Sequence, residues 1–229
     1  MTKTNNEVEE LIIKQGLGSI KQRKRIYQKF FKDWLENHKY IYKRFKLDLN
    51  KKIIDIGCGY GQNLFSFNAD SIGVEINPVI NKFSRKIGLN IKDINIEDDL
   101  NKIKQKFDIV WCSDLLVHMI SPLKLLIDCK KLLTLNGKIV IQIPLMSIWG
   151  LHKSTCHWYA FNKNSLMYLM EMAGYKILKT SGYIRKLPTM LNYFGEWFLQ
   201  IFGGNIWVLA KKCDQEIYNK KKVFLPKWF

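Results

Sequence analysis

A glycine-rich turn at the end of a short apolar run is the first feature with chemical potential. Ile53-Ile54-Asp55-Ile56 leads directly into Gly57-Cys58-Gly59-Tyr60-Gly61. Glycine has no Cβ, so such a turn adopts backbone torsions closed to other residues and lets a ligand approach the main chain. A helix beginning near Gln62 would add free N–H groups and the positive end of a helix dipole, which favour a carboxylate. The segment therefore predicts a ligand cradle.

An acidic residue ends the next apolar run along the chain. Glu75 closes Ile72-Gly73-Val74-Glu75, and a carboxylate at a strand tip can accept hydrogen bonds from both hydroxyls of a ribose. A dinucleotide fingerprint, G-x-G-x-x-G, would require glycine at position 62, where this chain has Gln62. Together the two segments predict a nucleoside site and argue against NAD.

Strand-length apolar runs recur along the chain and would position these residues. They alternate with helical patterns, which predicts an α/β fold with parallel strands and crossover helices. The clearest helix follows Ser121-Pro122 and should stop at Asn136-Gly137, and another should span residues 163–173. The predicted strands cover residues 53–56, 72–74, 107–112, 139–143, 175–180 and 205–210.

The glycine turn resembles the first motif of class I S-adenosylmethionine-dependent methyltransferases, hydrophobic-hydrophobic-D-x-G-x-G-x-G, and the resemblance extends over residues 51–211. It implies a Rossmann-like, seven-stranded, mostly parallel sheet with helices on both faces and an antiparallel last strand. It also implies S-adenosylmethionine as cofactor and S-adenosylhomocysteine as product. The cofactor-binding residues by this resemblance are Asp55, Gly57, Cys58, Gly59, Gly61, Glu75, Ile76, Asn95, Ile96, Ser113 and Asp114.

One position departs from the family pattern. An Asp after the third strand usually holds the adenine amino group, but here Asn95 lies at the matching place, with Asp93 and Asp98 as competing candidates. An Asn carbonyl accepts the same amino proton, so the role is chemically preserved.

Two histidines are the candidates for catalysis. Methyl transfer is an in-line displacement, and an alcohol acceptor needs a base near neutral pH. His118 follows Ser113-Asp114 in a segment that resembles small-molecule O-methyltransferases and lacks the N-P-P-Y loop of amino-directed DNA enzymes. His157 begins an H-x-x-x-F stretch similar to that of ubiquinone-pathway and sugar O-methyltransferases. No acidic cluster for magnesium can be assembled, so we expect no metal site.

The resemblance and the composition together predict three regions along the chain. We expect an N-terminal helical cap in residues 1–48, with apolar positions at helical spacing over residues 21–45. Residues 49–212 should form the S-adenosylmethionine-binding methyltransferase domain, with an aromatic insertion at 182–203, and residues 213–229 a basic tail. Four aromatic residues would roof an acceptor pocket or simply pack: Trp149, Trp158, Tyr159 and Tyr183.

The amino-acid composition indicates which classes of partner and which cellular location to expect. The 37 Lys and Arg against 20 Asp and Glu give a net charge of +17, which favours anionic partners unless it reflects a skewed source composition. The 5 cysteines form no C-x-x-C pair, and no secretion signal or membrane-spanning run is visible. These features predict a cytoplasmic protein, with peripheral contact at the inner face of the membrane as an alternative.

The predicted function is O-methylation of a small-molecule or glycan hydroxyl, for example on a cell-envelope sugar. The basic cap could recruit a phosphorylated or lipid-linked acceptor. An RNA-directed methyltransferase is the less favoured alternative, supported by charge but by no recognition module. A catalytically silent partner protein with the same fold is the third.

Overall fold

Seven strands form one mixed sheet in the computed structural model, which describes residues 28, 31–145, 157–183 and 204–213. The strands lie in the order β3-β2-β1-β4-β5-β7-β6. β7 runs antiparallel to both its neighbours, and the other six are parallel, which confirms the fold class expected from the sequence. The strands are β1 (Ile53–Ile56), β2 (Ile72–Glu75), β3 (Ile91–Asp93), β4 (Phe107–Ser113), β5 (Leu133–Leu145), β6 (Tyr175–Tyr183) and β7 (Gly204–Lys212).

Side-chain caps begin most of the helices that connect the strands. Ser121 caps one helix as predicted, Asn77 caps another, and Asn162 forms a capping box with Ser165. The α-helices are α1 (Lys32–Phe45), α2 (Pro78–Lys86), α3 (Pro122–Leu132) and α4 (Lys163–Met172). Short 3₁₀ helices cover Gln62–Phe65, Leu100–Lys102 and Leu116–His118.

The end of α3 differs from the sequence prediction. The helix stops at Leu132, and Leu133 is already extended and pairs with Phe107 of β4. β5 is therefore longer than the apolar run at residues 139–143, because its first residues pair with β4 before that run begins. The register of β4 and β5 shifts between the pairs Phe107–Leu133 and Ile109–Lys138, and Asn136-Gly137 lies within this irregularity of the strand rather than at the end of the helix.

Helices cover both faces of the sheet, and the core lies between them and the strands. On one face, α3 and α4 pack against alternate residues of β1, β4, β5 and β7. On the other face, α1 inserts Ile41, Tyr42 and Phe45 against Trp111 and Trp207. The fully buried Trp111 thus fixes α1 to the centre of the sheet.

The strand order places the ends of β1, β2 and β4 at one edge. β2 lies on one side of β1 and β4 on the other, so the chain reverses direction of travel across the sheet between them. Parallel α/β sheets build ligand sites at the carboxyl ends of the strands at such a switch point. The glycine turn follows β1 at this edge.

Several sequence predictions fall on residues outside the described parts of the chain. They concern Trp149, most of the N-terminal region before α1, most of the aromatic insertion at 182–203 and the tail beyond residue 213. Gly182 and Tyr183, at the start of the predicted insertion, are the last residues of β6. None of the helices described here has the length and apolar character needed to cross a membrane.

Candidate active site

The three glycines after β1 all adopt left-handed backbone torsions, with φ of 68° at Gly57, 53° at Gly59 and 72° at Gly61. A Cβ on Gly57 would lie 2.8 Å from Leu115, and one on Gly61 would lie 2.8 Å from Leu89. Above Gly59, by contrast, a Cβ would meet no atom within 4 Å. Gly57 and Gly61 therefore allow close packing, whereas Gly59 presents bare backbone to open space.

The helix predicted near Gln62 is present but is of a different type. Residues Gln62–Phe65 form a single 3₁₀ turn in which Asn63 is buried and directed towards β1 and α1. A helix this short has little macrodipole, so the dipole contribution to anion binding that was expected from a longer helix is small.

Asp55 is buried at the end of β1 and only partly hydrogen-bonded. Its Oδ2 accepts a hydrogen bond of 3.0 Å from Asn63 Nδ2, and its Oδ1 has no partner among the described residues. Burial raises the pKa of Asp55 to about 7, the hydrogen bond from Asn63 opposes this, and the negative charge of Glu75 adds to it. The unpaired oxygen is thus an acceptor site for an incoming cation.

A buried histidine extends this network into α1. His38 Nδ1 lies 2.5 Å from Asn63 Oδ1. Because Asn63 donates to Asp55 through its amide nitrogen, its oxygen faces His38, which must carry the proton on Nδ1. Burial lowers the pKa of His38 to about 4, so the ring is neutral at pH 7. Sequence reasoning missed Asn63. The available signal was the position of His38 on the same helix face as Ile41 and Tyr42.

Glu75 ties the glycine turn to the end of β2. Its Oε2 accepts from the Gly59 N–H at 3.1 Å, and its Oε1 accepts from the Ile76 and Asn77 N–H groups at 2.9 Å each. The apolar side chain of Ile76 is 61% exposed beside it. The cradle therefore combines a fixed carboxylate with an exposed apolar surface. Cys58, also predicted here, is buried against the core of α2 and β3.

The three candidates for contact with the adenine amino group differ in the hydrogen bonds and ion pairs that they already make. Asp93 pairs with Arg85 at 2.8 Å and accepts a hydrogen bond from Asn81. Asn95 Oδ1 accepts from the Glu97 N–H at 3.1 Å, and its Nδ2 donates to Asp98 at 3.1 Å. All three side chains lie in or beside the turn after β3. The neighbouring Ile96 is half-buried and packs against the core.

The loop after β4 carries a strained acidic residue. Asp114, which follows the last strand residue, Ser113, has a φ of 55°. Its N–H donates to the Gln142 carbonyl at 2.9 Å, which holds this conformation. A non-glycine residue in the left-handed region costs free energy and is enriched at functional sites.

His118 and His157 lie side by side next to Asp114. Their ring centroids are 4.8 Å apart in an edge-on arrangement. One ligand atom from each of Asp114, His118 and His157 lies within 4.8 Å of the others. Sequence spacing did not reveal this cluster, since His157 comes from the segment after β5.

Two hydrogen bonds dock that segment on the loop after β4. The Trp158 N–H donates to the Val117 carbonyl at 2.8 Å, and the Tyr159 hydroxyl donates to the Ile120 carbonyl at 2.8 Å. Phe161 is buried and bridges to Leu145 at the end of β5. Leu115, next to Asp114, contacts the glycine turn, so the histidine cluster adjoins the cradle.

Comparison with known proteins places this geometry in a family. The model of the family described as "Methyltransferase domain" matches residues 23–180. Curated relatives named ubiquinone biosynthesis O-methyltransferase are 30% identical over 100 residues in Actinobacillus pleuropneumoniae and 32% identical over 112 residues in Coxiella burnetii. These matches cover 38% and 44% of this chain and only 43% and 46% of the respective relatives.

Solved structures share the fold at low sequence identity. A SAM-dependent methyltransferase from Archaeoglobus fulgidus is 21% identical with a TM-score of 0.61, over 82% of this chain and 98% of that one. The [4+2]-cyclase SpnF is 16% identical with a TM-score of 0.60, over 79% of this chain and 80% of that one. Since a cyclase is among them, the fold alone does not define the reaction.

Proposed function

Because the chain belongs to the methyltransferase domain family, we propose that it transfers the methyl group of S-adenosylmethionine to a hydroxyl of a small molecule or glycan. S-adenosylhomocysteine would be the second product. The observation that carries the proposal is the contact between His118 and His157 on the loop after β4, whose residue Leu115 packs against the glycine turn. A cofactor cradle and a proton acceptor thus adjoin each other.

The residues of the cradle fit the chemical groups of S-adenosylmethionine. The unpaired Oδ1 of Asp55 offers an acceptor for the amino group, and the open space over Gly59 admits a ligand against the backbone. Glu75 offers its carboxylate to the ribose hydroxyls, and Ile76 its exposed apolar surface to the adenine ring. Asn95 and Ile96 would complete the adenine side, and Ser113 and Asp114 the side next to the acceptor.

Acceptor activation falls to the histidine pair. The bound cofactor supplies an electrophilic methyl group on a positively charged sulfur. A hydroxyl oxygen attacks well only as its proton leaves, so a base within hydrogen-bond reach accelerates the transfer. His157 is our first choice for this base, with His118 beside it and the carboxylate of Asp114 stabilising the imidazolium that forms.

The acceptor class follows from the surroundings of His157. Trp158, which is 65% exposed, and Tyr159 offer aromatic surface for a ring or sugar. The curated relatives are named for O-methylation in ubiquinone biosynthesis, and their similarity supports oxygen as the acceptor atom. The net charge of +17 is compatible with a phosphorylated or lipid-linked form of that acceptor.

Calorimetry followed by an acceptor screen tests this proposal. The purified chain should bind S-adenosylmethionine and S-adenosylhomocysteine, and Glu75→Ala should bind both at least tenfold more weakly. Fractions of a cell extract incubated with methyl-labelled cofactor should then show label in a small-molecule fraction. Absence of binding to either compound would overturn the proposal. Binding with no labelled product would favour the silent partner protein, whereas label in RNA would favour the RNA-directed alternative.

A further inference from the structure

We propose that Asp114, His118 and His157 bind a divalent transition-metal ion of the zinc class. The inference rests on the proposed function, because it concerns the site at which the acceptor hydroxyl is activated. Two imidazoles and one carboxylate are a common ligand set for such ions, and catalytic zinc sites use three protein ligands with one position left open.

The geometry of the cluster suits such an ion. One ligand atom of each residue lies within 4.8 Å of the other two. Zinc bonds of about 2.0–2.2 Å bring tetrahedral ligands to roughly 3.4 Å from one another. The ligand atoms would therefore approach one another by at most about 1.4 Å when an ion binds.

The backbone around the cluster is already fixed. His118 ends a 3₁₀ turn whose other residues, Leu116 and Val117, are buried, and the Trp158 N–H bond to Val117 holds His157 alongside. Asp114 is held in its left-handed conformation by Gln142. Three ligands from two segments are thus preorganised, which lowers the entropy lost on binding an ion.

Exposure and charge agree with a catalytic rather than a structural site. Both imidazoles are half-buried, and Asp114 is exposed. A closed structural site would use four protein ligands, whereas the described part of the chain supplies three here, as in a catalytic site whose fourth position takes an oxygen of the acceptor. The single carboxylate leaves a bound divalent ion with a net charge of +1, which favours an anionic oxygen ligand.

The ion would change how the acceptor loses its proton. A metal-bound hydroxyl ionises near neutral pH, so its proton leaves to solvent and the oxygen keeps the electron pair that attacks the methyl group. The carbon–sulfur bond breaks as the oxygen–carbon bond forms. In this state the imidazoles act as ligands, whereas in the metal-free chain one of them accepts the proton. The sequence expectation of no metal site considered an acidic cluster for magnesium, whereas this ligand set has one carboxylate and two imidazoles, and His157 is remote from the other two residues along the chain.

Cobalt titration tests metal binding without any methyl transfer. The full chain, stripped with a chelator, should take up one Co²⁺ with visible absorption bands of a four- or five-coordinate ion, and Zn²⁺ should displace it. Asp114→Ala and His157→Ala should each weaken Co²⁺ binding at least tenfold. Asp70→Ala, which removes an exposed carboxylate before β2, should bind Co²⁺ like the unmodified chain. Far-UV circular dichroism checks that each variant is folded.

The outcomes separate this inference from the proposed function. Chelator treatment should lower the turnover of the unmodified chain, and added Zn²⁺ should restore it. In the His157→Ala variant, added Zn²⁺ should not restore turnover. The metal site would be overturned if the unmodified chain gave no Co²⁺ absorption bands. It would also be overturned if the folded variants Asp114→Ala and His157→Ala gave the same bands as the unmodified chain. Methyl transfer that persists in chelator without metal binding overturns this inference alone. Metal binding in a chain that transfers no methyl group to any fraction supports the site and overturns the proposed function.

Discussion

At the scale of single residues, the raised pKa of Asp55 couples cofactor binding to pH. The carboxyl is buried and has a pKa of about 7, so it is largely protonated below that value. Pairing with an amino group requires the ionised form. We expect affinity for S-adenosylmethionine to fall about tenfold for each pH unit below 7. Calorimetry between pH 5.5 and 8 in two buffers of different ionisation enthalpy would measure the affinity and the proton released.

The same residue has a defined effect on the stability of the cofactor-free chain. An acid whose folded pKa lies above its unfolded value of 3.8 destabilises the fold as pH rises through the interval between them. Above pH 7 the penalty for Asp55 is complete and on the order of 4 kcal/mol. Asp55→Asn should therefore raise the free energy of unfolding at pH 8, with little effect at pH 4, while abolishing cofactor binding. Denaturant unfolding at both pH values measures this, and a lower stability at pH 8 would contradict it.

Gly59 offers a test that separates ligand contact from backbone strain. Gly59→Ala introduces a Cβ into open space, so only the left-handed backbone, at about 1 kcal/mol, should affect folding. Gly88 has a φ of 78° and lies exposed after α2, so Gly88→Ala carries the same strain away from the cradle. We expect equal losses of stability, but at least a tenfold loss of S-adenosylmethionine affinity in Gly59→Ala alone. Equal affinities in the two variants would remove Gly59 from the cofactor site.

At the scale of elements, the segment after β5 determines where His157 lies. The Tyr159 hydroxyl bond to the Ile120 carbonyl attaches this segment to the loop after β4. Tyr159→Phe should lower kcat severalfold, as expected for the loss of about 1 kcal/mol, and leave cofactor affinity unchanged. Tyr168→Phe removes the hydroxyl of an exposed tyrosine on α4 and serves as the matched control. Steady-state kinetics and calorimetry on both variants decide whether the attachment matters.

Local patterns predicted the elements better than they predicted the site. The apolar runs identified β1, β2 and β4 because buried parallel strands are apolar at successive positions, and Ser121-Pro122 identified the start of α3. The helix expected near Gln62 is present but is limited to one 3₁₀ turn, in which Asn63 bonds to residues from two other elements. Those partners are invisible in local spacing.

The histidine cluster shows the same limit more strongly. Each histidine was a candidate by its place after a strand, but their contact depends on the backbone bond from Trp158 to Val117. A main-chain hydrogen bond between distant segments leaves no signature in residue types. The glycine turn and its two acids were predictable as a unit because the glycines, Asp55 and Glu75 follow a fixed local pattern.

At the scale of the whole molecule, part of the positive charge lies away from the candidate site. Lys138 in the first half of β5 pairs in register with Lys211 near the end of β7, and Lys211 pairs with Lys176 at the start of β6. All three are exposed. Because β7 is antiparallel, this basic edge, defined by Lys138, Lys176 and Lys211, is the amino edge of the parallel strands. The glycine turn and the histidine pair lie at the opposite edge.

An RNA held at this basic edge would lie away from His157, which gives a direct test of the RNA-directed alternative. A polyanion attracted to the basic edge would bind through counterion release, with affinity that falls steeply with salt, and would not present a hydroxyl to His157. We expect a short RNA to bind at low ionic strength, to dissociate near 0.15 M salt, and to accept no methyl label. The double variant Lys138→Glu/Lys211→Glu should abolish RNA binding at low salt without changing cofactor affinity. The double variant Lys82→Glu/Lys104→Glu makes the same charge change elsewhere on the protein and is the control. It should weaken RNA binding far less. Methyl label in RNA that is lost in the Lys138/Lys211 variant would reverse the conclusion, since the basic edge would then deliver the acceptor.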